Sequence, residues 1–286
     1  MKIARYWTRA PGEAVDSQGG RIRVTARGWS DDSLDSARMR ARDTARRVAQ
    51  RIAAQPGAGP RYPYGDRPLP EPILSEFRDG DSVSAVITRN SYGALVMNAD
   101  WMMFVDIDRQ SPAPAPRADL KSLFRGLFGK PAASPLVDPM LDAARKVAER
   151  HRLSARVYRT AGGYRLLITD RRFHAKTTEA EALLNEFGAD TLYVRLCRLQ
   201  ESFRARLSPK PWRLGMRQPP VEFPFETSAD QAQYRDWERE YESQAVGYAT
   251  CAYVSSCGAG NVLPEFDALI RFHDEKTKAS SGLPLA

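Results

Sequence analysis

The chain has 286 residues, 42% of them hydrophobic and 27% charged, with 43 Lys and Arg against 35 Asp and Glu, a formal net charge of +8 and a pI of about 9.5. This is the composition of a folded globular protein, and no apolar run approaches the ~20 residues that cross a bilayer. Three cysteines (Cys197, Cys251, Cys257) are too few for a disulfide framework and form no Cys-x-x-Cys pair, so no zinc site of that kind is expected.

Met1–Trp7 lacks the apolar core of a signal peptide, so a reducing, cytoplasmic setting without membrane attachment is expected. The basic balance favours nucleotides or nucleic acid as partners, while an arginine-rich surface that is merely solvated gives the same number.

The first thirty residues read as strand, with charged and apolar residues alternating over Arg21–Arg27. Ser30–Asp35 supplies helix-capping residues, and Leu34, Ala37, Ala41, Ala45, Val48 and Ile52 then recur at helical spacing, which predicts a helix over 33–55. Its arginines (Arg38, Arg42, Arg46, Arg47, Arg51) fall on other faces, as a solvated surface or a phosphate-binding stripe. Residues 56–72 are a Pro- and Gly-rich loop. Val83–Arg89 and Ala94–Met97 form a hairpin about Asn90–Gly93, and Trp101–Val105 is a strand that delivers Asp106 and Asp108.

A Pro-rich insert occupies 109–136, with an amphipathic piece over 120–130. A helix follows over 138–151. Strand, tight turn and strand span 154–169 through Ala161-Gly-Gly163, and a further helix over 176–187 is closed by Gly188. Residues 190–215 are densely basic: Arg195, Arg198, Arg204, Arg206, Lys210 and Arg213 meet one acid, Glu201. A charged helix near 231–244, a strand over 247–254 and a helix over 264–276 complete the chain. The whole is expected to be one α+β domain, 1–286, on a mainly antiparallel sheet flanked by helices, with 80–215 as the motif-bearing core.

Three constellations carry chemistry. In a strand, Asp106 and Asp108 share one face while Ile107 turns to the core. Two adjacent carboxylates repel unless a cation lies between them, so the pair suits a divalent metal; strands also end in aspartates simply on reaching solvent. The hairpin Arg159-Thr-Ala-Gly-Gly-Tyr-Arg165 offers backbone N–H groups at Gly162 and Gly163, the Thr160 hydroxyl, and guanidinium forks at Arg159 and Arg165 for phosphate oxygens. Its glycines serve turn geometry alone on the plainer reading. On a strand over 203–207, Arg204 and Arg206 point to one face, followed by Lys210 in a proline-fixed turn and Trp212 as a stacking surface. Arginines on a half-buried strand need an anionic partner, internal or external.

In this order the three pieces resemble the archaeo-eukaryotic primase and primase-polymerase superfamily, over roughly residues 80–215. Phe104-Val-Asp106-Ile-Asp108 is similar to that family's metal-binding strand. Thr160-Ala-Gly-Gly-Tyr-Arg165 looks like its glycine hairpin, with Arg165 where the family has histidine, and Leu199–Lys210 is similar to its triphosphate-binding basic segment. The resemblance implies an RRM-related core and a metal-dependent nucleotide-binding protein, possible as a divergent nucleotidyltransferase, with Mg or Mn at Asp106 and Asp108. On this implication Arg159, Thr160, Gly162, Gly163, Arg165, Arg204, Arg206 and Lys210 hold a nucleoside triphosphate or nucleic acid. The family's third acid has no clear counterpart; Asp170 and Asp190 are the candidates. The competing classes are a noncatalytic basic nucleic-acid-binding module and a protein-interaction module with its arginines paired internally. His151 and His174 lack ligand spacing, the His273–Asp274 pair is expected to face solvent, and Cys251 and Cys257 read as inert buried thiols rather than redox partners.

Overall fold

The computed structural model describes residues 1–55, 68–109 and 138–286. The Pro-rich insert past Arg109, its amphipathic piece and most of the 56–72 loop lie outside the described residues.

The N-terminal strands β1 (Tyr6–Val15) and β2 (Arg21–Ser30) pair antiparallel, closed by a turn in which Asp16 Oδ1 accepts from the Gln18 and Gly20 amides. Helix α1 (Leu34–Ala54) starts at Ser33, whose hydroxyl accepts from the Ser36 amide, and buries Ala37, Ala41, Ala45 and Ala49. The larger apolar residues expected on that face sit at its margin, and Leu34 is exposed. The reason is proximity: a methyl at Gly28 would lie 2.3 Å from the Ala37 carbonyl oxygen, and one at Gly12 would lie 2.4 Å from the Ala45 carbonyl carbon. Only alanine facing glycine permits the helix backbone to lie so close to the hairpin.

Further along come β3 (Ile73–Asp79), β4 (Ser82–Arg89), β5 (Leu95–Ala99), β6 (Phe104–Asp108), α2 (Pro139–Arg150), β7 (Ala155–Thr160), β8 (Gly163–Ile168), α3 (Thr178–Glu186), α4 (Thr191–Gln200), β9 (Phe203–Arg206), α5 (Ser228–Ala245), β10 (Cys251–Cys257) and α6 (Asp267–Thr277). The protein is thus α+β, with its antiparallel strands divided between two four-stranded sheets: β3-β4-β5-β9 and β10-β7-β8-β6. One apolar cluster joins them, from Ile87 and Met97 in the first sheet to Phe104, Leu166 and Ile168 in the second, and on to Leu141, Leu184 and Leu269 of the helices. β8 is buried along its whole length, with five apolar or glycine positions and one arginine, Arg165.

Several expectations change. The metal-motif strand begins at Phe104 and contains both aspartates rather than ending before them, because Trp101 and Met102 form a bend. β10 starts four residues later than predicted. Residues 73–79 form β3 and 191–200 form α4, where no element was expected; Asp190 caps α4 by accepting from the Tyr193 amide. His273 does not face solvent: it is fully buried, on the side of α6 that meets β7, β8 and Phe104. Adjacent helix positions diverge by ~100°, so Asp274 reaches a partly exposed position while its neighbour enters the core.

Candidate functional site

A cleft of about 900 Å³ opens beside the two sheets and the N-terminal hairpin. Its lining includes Asp106, Asp108, Thr160, Gly162, Arg165, Arg204, Arg206 and Lys210, so eight of the ten residues singled out in the sequence meet in one place. Gly163 is buried beneath it, and Arg159 is exposed on β7 and does not line it. Arg9, Arg27, Glu71, Tyr92, Arg213, Glu222 and Phe223 also line the cleft. Of these, Arg213 was within reach of sequence reasoning, since it ends the Lys210-Pro-Trp-Arg run. Arg9, Arg27, Glu71 and Tyr92 arrive from segments far earlier in the chain, and Glu222 and Phe223 from the stretch that follows the basic run.

The floor is an ion pair. Asp106 on β6 and Arg165 on β8 are cross-strand partners. Arg165 Nε donates to Asp106 Oδ1 at 2.6 Å and Nη2 donates to Oδ2 at 2.9 Å, so both carboxylate oxygens are engaged. Its Nη1 donates to the Arg206 carbonyl at 2.8 Å and lies 3.4 Å from His273 Nε2. Arginine only donates, so Nε2 accepts and the imidazole proton sits on Nδ1, donating to Asp274 Oδ1 at 3.0 Å. Asp274 in turn accepts from Arg156 at 2.6 Å. Arg165 is 1% exposed; burial opposes its charge, but Asp106 outweighs it and holds the guanidinium above the ordinary arginine range. Burial pushes the His273 ring below its usual value, with Arg165 adding and Asp274 opposing.

Arg204 is likewise consumed internally. It donates to Asn98 Oδ1 at 2.6 Å and to Glu71 Oε1 at 2.7 Å, and Glu71 is itself buried and accepts from Thr88. Sequence reasoning asked for an anionic partner for this arginine and could not see Glu71, 133 residues away.

The rest of the basic segment is different. Arg206, Lys210 and Arg213 make no ion pair among the described residues. Arg206 Nη1 has one long bond to the Ser208 carbonyl at 3.3 Å, and Arg213 Nη1 is buried with no partner. Burial first, then repulsion from Arg165 and Arg213, press the Arg206 guanidinium below its ordinary range; burial, Arg206 and Arg213 do the same to Lys210, with Asp108 and Asp106 opposing. Lys210 lies 5.4 Å above the ring of Trp212, which packs edge-on against Tyr92. Three clustered cations with no ion pair among the described residues, set beside the one carboxylate of Asp108, are the electrostatic signature of an anion site.

The glycine hairpin works otherwise than expected. Neither Gly162 nor Gly163 has positive φ. A methyl at Gly163 would meet the Ile107 carbonyl oxygen at 2.1 Å, so glycine is required for the close approach of β8 to β6. A methyl at Gly162 would lie 2.9 Å from Asp108 Oδ1 and 3.6 Å from Arg213 Nη2, so this glycine makes room for the carboxylate and the cation beside it. The Gly163 and Gly162 amides donate to Thr160 Oγ1 at 2.9 and 3.3 Å, which leaves the turn satisfied from within.

A divalent ion shared by Asp106 and Asp108 fits this arrangement poorly. Each Asp106 oxygen accepts from a guanidinium that already neutralises its charge, and no group of three possible ligands is found among the described residues. Asp190 lines the cleft but caps α4, and Asp170 pairs with Arg171 outside it. Among the described residues, no helix is long and apolar enough to cross a membrane. Comparison with protein-family models, curated proteins and solved structures found no match for this chain.

Proposed function

We propose that the cleft binds the phosphate groups of a nucleotide, either a nucleoside triphosphate or a nucleic-acid strand, as a binding site rather than a polymerising centre. The observation that carries this reading is the trio Arg206, Lys210 and Arg213, cations without an ion pair among the described residues, one with a buried donor left unbonded. Charge-assisted bonds to phosphate oxygens satisfy all three at once. Tyr92, with Trp212 beside it, offers a ring face to a base next to those phosphates.

Arg165 and Arg204 take structural roles in this reading, since their guanidinium groups are already paired, and Thr160 serves the turn by accepting from the Gly162 and Gly163 amides. Nucleotidyl transfer with Mg or Mn held by Asp106 and Asp108, which the primase resemblance implies, would require Asp106 to part from Arg165. The setting we propose is a reducing cytoplasm, in keeping with three unpaired cysteines.

The test is calorimetric titration of a nucleoside triphosphate and of a short single strand into the wild type, Arg206→Ala, Lys210→Ala and Arg213→Ala. Each substitution is expected to weaken binding by about 1.5–3 kcal/mol, roughly tenfold or more, and to flatten the dependence on salt. Arg159→Ala should leave affinity unchanged. Equal affinity across all five proteins would sink the proposal.

A further inference from the structure

Resting on that phosphate-binding reading, we propose that the cleft takes its phosphate ligand as the free anion, without a divalent cation, because the chain supplies the counter-charge itself. Metal bridging between protein and phosphate needs carboxylate oxygens with free lone pairs directed at the ion. Asp106 directs one lone pair of each oxygen at Arg165, at 2.6 and 2.9 Å, and its negative charge is already matched by that buried guanidinium.

Arg165 is not free to swing away. Its Nη1 is tied to the Arg206 carbonyl, the His273 ring stands behind it, and that ring is wedged between Phe104 and Tyr158 at 5.8 and 4.9 Å between ring centres. Moving the guanidinium to expose Asp106 would leave a buried cation unpaired. Of the two aspartates, Asp108 alone is left without an ion pair among the described residues, one exposed carboxylate with Arg213 Nη2 close to the same glycine.

The ligand side gives the same answer. Arg206, Lys210 and Arg213 attract by charge, and magnesium on a triphosphate cancels two of its negative charges before it arrives. A site whose attraction is cationic therefore prefers the uncomplexed polyanion. A metal-bridged site has the opposite preference. Arg165 thus supplies to Asp106, as a permanent covalent part of the chain, the counter-charge that a dissociable cation would otherwise bring.

The experiment titrates inorganic triphosphate into the full chain in EDTA and in excess magnesium at matched ionic strength. Affinity in EDTA is expected to equal or exceed that in magnesium; affinity about tenfold weaker in EDTA overturns the inference. Binding in neither buffer sinks the phosphate-binding reading itself, which keeps the two failures apart. As a second measurement, Mn²⁺ is titrated without triphosphate and followed by electron paramagnetic resonance. The wild type should leave the free-ion signal undiminished. Arg165→Met, which releases Asp106, should gain Mn²⁺ binding that Asp106→Asn removes in the same background. Mn²⁺ binding by the wild type that Asp106→Asn abolishes would overturn the proposal, and the wild-type titrations decide it even where Arg165→Met does not fold.

Discussion

Asp106 and Asp108 stand two residues apart on one face of β6, yet asparagine at each should have very different consequences. Asp106→Asn leaves Arg165, 1% exposed, facing an amide that accepts at one oxygen and presents an N–H₂ group to the other guanidinium nitrogen. Breaking a buried pair by removing one partner costs about 3–5 kcal/mol. The Asp106 side chain is 28% exposed, so solvent screens part of that loss, and one hydrogen bond survives; about 2–3 kcal/mol is the expected net cost. At about 2–4 °C per kcal/mol for chains of this order of size, Tm should fall by about 4–12 °C. Asp108 is exposed and makes no ion pair among the described residues, so Asp108→Asn should stay within about 0.5 kcal/mol of the wild type. Thermal melts at neutral pH, read by circular dichroism, make the comparison. Asp106→Asn combined with Arg165→Met should recover part of the loss, because the stranded charge goes with its partner. Equal shifts for the two single variants, or a larger one at Asp108, would refute the assignment of Asp106 as a structural counter-ion.

Other outcomes follow from the same structure. Gly28→Ala puts a methyl 2.3 Å from the Ala37 carbonyl oxygen and should cost at least about 2 kcal/mol by pushing α1 off its hairpin. Gly247→Ala, with nothing within 4 Å and no positive φ, should be neutral or slightly stabilising in the same melts. At the cleft wall the Glu222 carboxylate pairs with Arg27 and, at 3.9 Å, with Arg9, and Glu226, outside the lining, holds Arg9 at 3.2 Å. Such exposed pairs are worth about 0–1 kcal/mol each. Glu222→Gln with Glu226→Gln should therefore barely change Tm while raising affinity for inorganic triphosphate by about threefold; a fall in affinity would argue against competition between these carboxylates and the ligand. His273 is held neutral in the fold, below its ordinary value of 6.5. The unfolded chain then binds more protons, so this contribution to stability is complete above pH 6.5 and declines as pH falls below it. Tm of the wild type should drop more steeply on acidification than that of His273→Asn, and parallel profiles would exclude the ring as the cause.

The sequence showed the class of fold and the neighbourhood of the cleft wherever the signal was local. Capping residues and helical spacing located α1 and α2, the Asn90–Gly93 turn located the β4–β5 hairpin, and alternation put Arg204 and Arg206 on one face. What it hid depended on distance or on competition between signals. α4 carries Arg195 and Arg198 within a run whose charge drew attention away from its apolar positions Val194 and Cys197. Ile73–Asp79 follows a proline-rich stretch and has three half-buried residues and none fully buried, so its pattern was faint. The partners of the arginines were invisible for a plainer reason. Glu71 meets Arg204 and His273 meets Arg165 across gaps of 133 and 108 residues, which spacing along a chain does not encode. The glycine hairpin was found for one reason and is needed for another, since close approach and left-handed turns select the same residue.

The bond from Arg165 Nη1 to the Arg206 carbonyl crosses from β8 in one sheet to β9 in the other. It acts as a rivet between two plates that share no strand. Opening the cleft by splaying the sheets would shear that bond and expose the guanidinium, so the floor should behave as one mechanical body. Amide hydrogen exchange across β6, β8 and β9 is then expected to proceed in a single slow step. Any widening of the entrance falls to the N-terminal hairpin and the segment carrying Glu222, where the ties are exposed and weak.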